Sequence, residues 1–359
     1  MGFAHSLSES RRGRMSWLGR LGVLGGVVLL VAACGGGGGS TGSSGTKIYR
    51  IAFFAASSQN GFNAAVYQGA ADEAQKLGNL PTQIFDGKFD ATTQTNQVET
   101  IAAAKNFEGA IIVANDTVGI APAVSKAIAA GIKMCTALFP LGPDLTKLEP
   151  QVNGLTCTVA NPPAVGAKAQ ADEVVKFCQD KTPCRVVEII GQLQFPFDKF
   201  RYDTWNADFK DHANIQIVAT GQGSYDRNAS LKVMTDILQA HPQIDVLLSN
   251  ADQHVEGAQI ALKSHGYDLK SLVGANKLFI SGGGATQEAV QAIRNGEWNN
   301  TLAYYPYTMG KLAMDQLANA LEGKSYQQVV NMDTAASLPP ILTKAVLDAH
   351  ADFKGEWSG

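Results

Sequence analysis

The sequence has 359 residues, of which 45% are hydrophobic and 17% charged, and its 29 basic and 32 acidic side chains give a formal net charge of −3. This length is sufficient for two domains, each with its own buried core. No basic patch of the nucleic-acid-binding type and no lysine-rich amphipathic helix is present, so nucleic-acid partners and membrane-surface binding are excluded.

Residues 1–33 have the order of a secretory signal. The stretch 11–20 (RRGRMSWLGR) contains four arginines and no acid, and the stretch 21–33 (LGVLGGVVLLVAA) has no polar side chain. This apolar run is shorter than the roughly 20 residues that span a bilayer. Without the four arginines and one glutamate of residues 1–33, the chain keeps 25 basic and 31 acidic side chains, a net charge of −6.

Cys34 follows directly in VAAC, a junction similar to the bacterial lipobox, in which the cysteine is lipid-modified and becomes the new N-terminus. An ordinary signal peptide followed by an unmodified cysteine is the alternative. Residues 34–46 are almost entirely Gly, Ser and Thr, which is typical of a flexible tether. We therefore expect an extracytoplasmic protein that is anchored to the cell membrane through Cys34.

From residue 47 onward, short apolar runs alternate with helical patterns. The first strand is predicted over 47–55 (KIYRIAFFA) and the first helix over 62–77, where apolar residues recur at helical spacing. Further strands are predicted at 109–114, 132–137, 185–190, 215–219, 244–249, 277–281 and 301–305, and further helices at 121–130, 164–178, 199–211, 229–240, 254–265, 286–295 and 308–322. This alternation favours an α/β fold with doubly wound parallel sheets, and about ten strands favour two lobes over one.

Four cysteines remain after Cys34: Cys135, Cys157, Cys178 and Cys184. An even number in an oxidising compartment favours two disulfides, and three pairings are open. The short spacing in FCQDKTPC favours the pair 178–184, which leaves 135–157. A zinc site is the rival interpretation, but it would require CxxC-type spacing, which is absent from the sequence.

The turns that follow the predicted strands contain aromatic rings and amides. Ligands of parallel sheets bind at these strand ends, and flat rings interspersed with amides suit a small molecule with an apolar face, such as a sugar ring. The residues concerned are Asn60, Phe62, Phe139, Phe195, Phe197, Tyr225, Tyr304 and Tyr305.

Catalysis has little support in these turns. The sequence contains neither GxSxG nor HExxH, and His254 is the one histidine near a predicted strand end. Asp252, His254 and Glu256 do not converge as metal ligands, because residues two apart lie about 200° apart on a helix. We interpret Asp252 as the N-cap of this helix. We therefore predict no enzyme, cofactor or metal site, with an exported hydrolase that uses His254 as the minor alternative.

Several stretches in order resemble the periplasmic solute-binding proteins of ABC importers with the type I fold, in particular the ribose-type sugar-binding proteins. The resemblance covers about 47–350 and rests on IAFFAASSQNGFNAAVYQGAADEAQKLG, GAIIVANDTVGIAPAVSKAIAAGIKM and GQGSYDRNASLKVMTDILQAHPQIDVLLSNADQHVEGAQIAL. It implies a monomer with one lobe of 47–160 plus 306–335, a second of 161–305 plus 336–359, and three crossings that form a hinge. It also implies a small ligand that is delivered to a membrane permease. A receptor that signals to a membrane kinase is the alternative.

Residue by residue, the resemblance implies ligand contacts at Asn60, Phe62, Lys199, Arg201 and Tyr225, and a partly structural acid at Asp252. The chain departs from the sugar-binding pattern where Leu138 and Phe139 replace Asp-Arg, where Ala251 replaces Asn, where Gly283 and Gly284 replace an aromatic-Asp pair, and where Tyr304 replaces a glutamine. We therefore expect a more aromatic and roomier pocket, for a ligand less polar or larger than a simple pentose or hexose. The predicted ligand-binding set is Asn60, Phe62, Phe139, Lys199, Arg201, Tyr225, Asp252 and Tyr304.

Overall fold

A computed structural model of the chain describes residues 48–78 and 80–359. The predicted signal segment 1–33, Cys34 and the tether 34–46 lie outside the described residues. Within the described ranges, no helix is both long and apolar enough to cross a membrane.

Secondary structure alternates between strands and helices along most of the chain, as the sequence predicts. The elements up to the second lobe are β1 Ile51–Ala55, α1 Gly61–Lys76, β2 Thr82–Asp86, α2 Ala91–Ala104, β3 Gly109–Ile112, α3 Ala121–Ala129, β4 Lys133–Leu138 and β5 Cys157–Ala160. The second lobe contains α4 Pro163–Cys178, β6 Cys184–Ile190, α5 Pro196–Phe209, β7 Ile215–Gln222, α6 Arg227–Ala240, β8 Val246–Ser249, α7 Asp252–Ser264, α8 Leu269–Gly274, β9 Phe279–Gly283, α9 Gln287–Asn295 and β10 Asn300–Leu302. The remaining elements are α10 Pro306–Leu321, β11 Val329–Asn331, α11 Met332–Ala335, β12 Ile341–Thr343 and α12 Lys344–Ala349.

The strands form two six-stranded sheets of the same design. The first has the order β11-β5-β4-β3-β1-β2 and the second has the order β12-β10-β9-β8-β6-β7. All neighbours in the first sheet are parallel. The second sheet is parallel except at its edge, where β12 runs antiparallel to β10. The two doubly wound lobes predicted from the sequence are confirmed, with this one antiparallel edge strand added.

Strand β1 illustrates why these segments are buried strands. Its sequence IAFFA is fully buried, because helices cover both faces of the sheet. Alternate residues enter two different cores: Ile51 and Phe53 pack on the side of α1, whereas Ala52 and Phe54 pack on the side of α2 and α3. The carboxyl end of β1 is thereby fixed rigidly beside the first turn of α1.

The chain passes between the sheets three times: after β5, after β10 and after β11. After the second crossing, α10 returns to the first lobe and packs closely against α1. Two glycines make this approach possible. A Cβ on Gly69 would lie 1.9 Å from the backbone carbonyl oxygen of Tyr307, and a Cβ on Gly310 would lie 1.9 Å from the backbone carbonyl oxygen of Val66.

Both favoured disulfides are present, which confirms the predicted pairing. Cys135 on β4 and Cys157 on β5 are directly opposite each other in the parallel ladder and are bonded. Cys178 ends α4 and is bonded to Cys184, the first residue of β6. Each lobe therefore carries one short covalent link close to its sheet.

Candidate functional site

A cavity lies between the two sheets, at the carboxyl ends of their strands. It encloses about 530 Å³ not filled by protein atoms, its open mouth included. In each sheet the strand order reverses between the first strand and the third, that is between β1 and β3 and between β6 and β8, and such points are where doubly wound folds bind ligands. The lining residues are Ala56, Asn60, Phe62, Asn63, Phe89, Val113, Ala114, Leu138, Phe139, Phe197, Arg201, Tyr225, Asn250, Ala251, Gln253, Gly283, Gly284, Tyr304 and Trp357.

The wall contributed by the first lobe begins with an amide pair at the start of α1. Asn60 is the N-cap residue, and its Oδ1 accepts hydrogen bonds from the backbone N–H of Asn63 at 3.2 Å and from its Nδ2 at 3.1 Å. Asn63 Oδ1 in turn accepts from the N–H of Ala56 at 2.9 Å. The pair fixes Phe62, whose ring stands edge-on to Tyr304 and Trp357.

Aromatic rings from the two lobes meet between the two walls of the cavity. Phe139 at the end of β4 stacks on Phe197 of α5 with ring centroids 4.5 Å apart. Phe89, which follows β2, stacks on Tyr225, which follows β7, at 5.7 Å. Both pairs join one lobe to the other, so the lobes are closed on each other in this structure.

The wall contributed by the second lobe contains a buried charge network around Asp198. Its Oδ1 accepts from Arg201 Nη2 at 2.5 Å, from the Tyr225 hydroxyl at 2.6 Å and from Asn250 Nδ2 at 2.6 Å. Its Oδ2 accepts from the N–H of Gln192 at 2.7 Å. Burial, together with the Asp198 charge, raises the pKa of Tyr225 far above its usual value, so the hydroxyl stays protonated and donates to the carboxylate.

Two polar atoms of this wall have no hydrogen-bond partner. They are Arg201 Nε, a donor, and Asn250 Oδ1, an acceptor, and both are buried in residues that line the cavity. The Arg201 guanidinium also lies 5.3 Å from the centroid of Phe139 and 5.5 Å from that of Phe197. A buried polar group without a partner is costly, and a ligand hydroxyl, which both donates and accepts, would satisfy either atom.

His254 supports this wall from behind. Its Nε2 accepts from the N–H of Tyr225 at 2.8 Å, so the ring proton lies on Nδ1, which is 3.0 Å from Ser249 Oγ. The bond holds Ser224 and Tyr225, whose φ angles of 51° and 58° fall in the left-handed region. Burial, reinforced by the Arg201 charge, lowers the pKa of His254 to about 3, so the imidazole is neutral.

Six of the eight predicted ligand-binding residues line the cavity: Asn60, Phe62, Phe139, Arg201, Tyr225 and Tyr304. Lys199 does not. Its ammonium group binds Asp203 one turn further along α5 and is largely exposed. Arg201 is two residues away, about 200° around the helix, so only one of these two cations can face the cavity.

Asp252 is also absent from the lining, and it is not the N-cap of α7, a position that Ala251 occupies. The fully buried carboxylate accepts from the Thr301 hydroxyl at 2.7 Å and from the N–H of Thr286 at 2.8 Å. It therefore joins β10 to the turn before α9. Burial raises the pKa of Asp252 to about 7, because a charged carboxylate is poorly solvated there.

The possible metal triad of the sequence analysis is dispersed in the structure. Asp252 holds Thr301, His254 holds Tyr225, and Glu256 accepts from the Thr286 hydroxyl and pairs with Arg227. Among residues 48–78 and 80–359, no group of three or more metal-binding side chains converges on one point.

Thirteen of the nineteen lining residues were not in the predicted set, among them Asn250, Phe197, Phe89 and Trp357. Asn250 directly follows β8, a position that was available as a signal, and Phe197, in the first turn of α5, was among the aromatic candidates but was not included in the set. Phe89 follows β2, an edge strand that the sequence analysis did not predict. Trp357 lies beyond α12 in a stretch without periodicity, and nothing in the sequence pattern indicated its place.

The sequence and the fold match proteins of known role. Residues 51–325 match the family described as periplasmic binding protein domain. The chain is 26% identical over 293 residues to the ribose import binding protein of Bacillus subtilis, which covers 80% of this chain and 87% of that protein. One similar solved structure is a galactofuranose binding protein, with 21% identity and a TM-score of 0.72, and the match covers 85% of this chain and 98% of that one. Another is an ABC transporter solute binding protein from Mycobacterium smegmatis with bound glycerol, with 24% identity and a TM-score of 0.71, and the match covers 87% of this chain and 100% of that one.

Proposed function

The chain belongs to the periplasmic binding protein domain family, and the relatives that it matches are transport binding proteins and not enzymes. On this premise we propose that it captures a small hydroxyl-bearing solute between its lobes and delivers it to an ABC import permease. The solute is of the sugar or polyol class. It is released to the permease outside the cytoplasm, and the binding protein acts as a monomer.

The observation that carries this proposal is the presence of two buried polar atoms without a hydrogen-bond partner, Arg201 Nε and Asn250 Oδ1, in the second-lobe wall. A free donor and a free acceptor, both buried on one wall of the cavity, suit a hydroxyl group better than a carboxylate or an ammonium group. The opposite wall offers aromatic faces and edges, on which the C–H face of a sugar ring or cyclitol packs.

The departures from the sugar-binding pattern define the solute further. Leu138, Phe139, Ala251, Gly283 and Gly284 all line the cavity, and none has a polar side chain. Few hydroxyls of the ligand therefore find a side-chain partner outside the Arg201 wall. A deoxy sugar, a modified sugar or a polyol derivative fits these contacts better than a fully hydroxylated hexose.

Binding works through closure of the lobes about the three crossing segments. Each lobe supplies only part of the cavity wall, so an open form would lose the stacking of Phe139 on Phe197 and of Phe89 on Tyr225. A ligand that contacts both walls binds the closed form more tightly and shifts the population toward it. The closed pair of lobes is then the surface that the permease recognises.

Cys34 attaches the protein to the membrane as a lipoprotein after removal of residues 1–33. The VAAC junction and the Gly/Ser-rich stretch that follows support this. The test is fractionation of cells that express the full chain or C34S, with metabolic labelling by a fatty acid. We expect the full chain to be labelled and membrane-bound and C34S to be unlabelled. Equal labelling of the two proteins would refute the lipid anchor.

The solute class is tested by thermal shift of residues 47–359 with sugars, cyclitols, glycerol, amino acids and aromatic acids. A ligand at 100 times its Kd stabilises by about 2.7 kcal/mol, which raises Tm by several degrees. We expect the shift for a sugar or polyol, its loss in N250A, and its retention in N106A, which makes the same change at an exposed position. A shift with amino acids alone would contradict the proposed class.

A further inference from the structure

Residues 351–359, which follow α12, return to the cleft and complete its wall. Trp357 lies on the cavity beside Phe62 and Gly284, and only 5% of its surface is exposed. The other two tryptophans among the described residues, Trp205 and Trp298, are buried elsewhere in the second lobe and do not line the cavity.

The second lobe holds the indole by hydrogen bonds at both ends of the residue. Trp357 Nε1 donates to the Gly284 oxygen at 2.8 Å, and the Trp357 carbonyl accepts from the N–H of Gln287 at 2.9 Å. A Cβ on Gly284 would lie 2.8 Å from the indole Cζ2. The same approach needs glycine at 355, where φ is +87° and a Cβ would lie 2.6 Å from the Ala285 oxygen.

The first lobe holds the same segment from the other side. The Glu356 carboxylate accepts from the N–H of Thr308 at 3.0 Å and from the Thr308 hydroxyl, both in the first turn of α10. The ring of Phe62 stands perpendicular to the indole with centroids 5.4 Å apart. A Cβ on Gly61 would lie 2.4 Å from the backbone carbonyl oxygen of Ser358, so this approach also depends on glycine.

We propose that Trp357 is a ligand-contacting residue that sets the size and shape selectivity of the cleft, and that Glu356 is the residue that positions it. This inference rests on the proposed function, since it assumes that the cavity holds a solute. The indole nitrogen is already bonded to Gly284, so the ring offers the ligand an apolar surface and no further donor. In this closed structure the segment is bonded to both lobes, which holds the indole against the cavity.

The test compares W357A and W357F with W298F, which makes the same type of change in the core of the second lobe. The probes are D-ribose, myo-inositol and glycerol as hydroxyl compounds, and leucine and benzoate as compounds of other classes. For the probe that binds the wild-type protein, we expect W357A to weaken binding roughly tenfold or more, and W357F and W298F to change it by less than about threefold. W357A should also reduce the difference in affinity between a free sugar and its methyl glycoside.

A fluorescence measurement separates a contact from a merely structural role. The emission change that the bound probe causes should disappear in W357F, which keeps a ring in place, and persist in W298F. If W357A folds poorly, E356A provides a second test, because it keeps the indole and removes the carboxylate that positions it. We expect the affinity of E356A for the bound probe to fall several-fold. E356Q should restore binding, because its amide oxygen still accepts from Thr308.

Each outcome decides between the two proposals. If a hydroxyl probe binds and W357A binds it equally well, the role of Trp357 is wrong and the proposed function stands. If leucine or benzoate binds instead and W357A loses it, the solute class is wrong and the role of Trp357 stands. Binding of none of the probes by the wild-type protein would overturn both proposals.

Discussion

Strand β1, which lies next to the edge strand of the first sheet, is apolar throughout, whereas β6, at the same place in the second sheet, contains the fully buried Glu188. The two cavity walls differ in the same way. The first lobe presents mainly rings and aliphatic groups, such as Phe62, Phe89 and Leu138, with the amides of Asn60 and Asn63. The second lobe presents the Arg201 guanidinium, the Tyr225 hydroxyl and Asn250 around Asp198.

The two lobes thus share one strand order, but their cavity walls differ in polarity. In a doubly wound sheet the strands fix where the turns end, and the turn residues are free to differ. We infer that the second lobe supplies the polar recognition of the ligand and that the first supplies an apolar surface. Substitutions in the two walls should therefore have different consequences.

The largest effect is expected from R201M in the second-lobe wall. The change removes the cation and leaves the buried Asp198 carboxylate without its charge partner, which should destabilise the protein by about 3–5 kcal/mol in urea unfolding. It also removes the free Nε donor, so affinity for the best ligand of the thermal-shift panel should fall roughly 100-fold.

The double variant D198N with R201M separates these two consequences. It carries no buried charge at the network, so most of the lost stability should return. Ligand binding should remain lost, because the donor is still missing. Recovery of binding together with stability would mean that Arg201 only supports the wall and makes no contact with the solute.

The next effect concerns Glu188, the acid in β6 that has no counterpart in β1. Its carboxylate accepts from the Thr220 hydroxyl at 3.0 Å, and burial raises the pKa of Glu188 to about 7, against 4.5 for the free side chain. Since the folded protein holds this proton more tightly than the unfolded chain, its stabilising contribution is present at low pH and is lost as pH rises through 7.

The variant E188Q has no such proton to lose. Its unfolding free energy relative to the wild type should therefore rise by about 3 kcal/mol between pH 4.5 and pH 8 in urea titrations. Ligand affinity at pH 8 is the control and should not change, because Glu188 is not on the cavity. A difference that is the same at both pH values would show that Glu188 is ionised in the folded protein throughout.

A smaller effect is expected from F62L in the first-lobe wall. Leucine keeps the site apolar but removes the ring face and its edge contacts with Tyr304 and Trp357, so affinity should fall roughly tenfold. F107L is the matched control, since Phe107 is equally buried but packs on the opposite side of the sheet. Calorimetry should give an unchanged Kd for F107L. An equal loss in both variants would attribute the effect to general loosening of the lobe.

The fold was predictable because continuous apolar runs mark strands that are covered on both faces, as in IAFFA of β1. The edge strand β2 was not predicted, because its sequence TQIFD is only partly buried and has no such run, and Phe89 was missed with it. In the site, residues that directly follow strands could be placed, whereas Lys199 could not be separated from Arg201 without the orientation of α5. Trp357 was beyond prediction, since a tertiary contact alone brings it to Gly284, where the sequence analysis had noted a missing aromatic residue.

The smallest expected effect tests the contact between the two walls. Phe139 and Phe197 stack at 4.5 Å across the cleft, and such pairs contribute about 0.5–1.5 kcal/mol beyond the area they bury. A double-mutant cycle with F139L and F197L should give a coupling of this size in the unfolding free energy without ligand. The pair F139L with F177L should be additive, because Phe177 packs against Phe279 in the second lobe. A coupling that is absent without ligand and present with it would mean that the walls meet only when a solute lies between them.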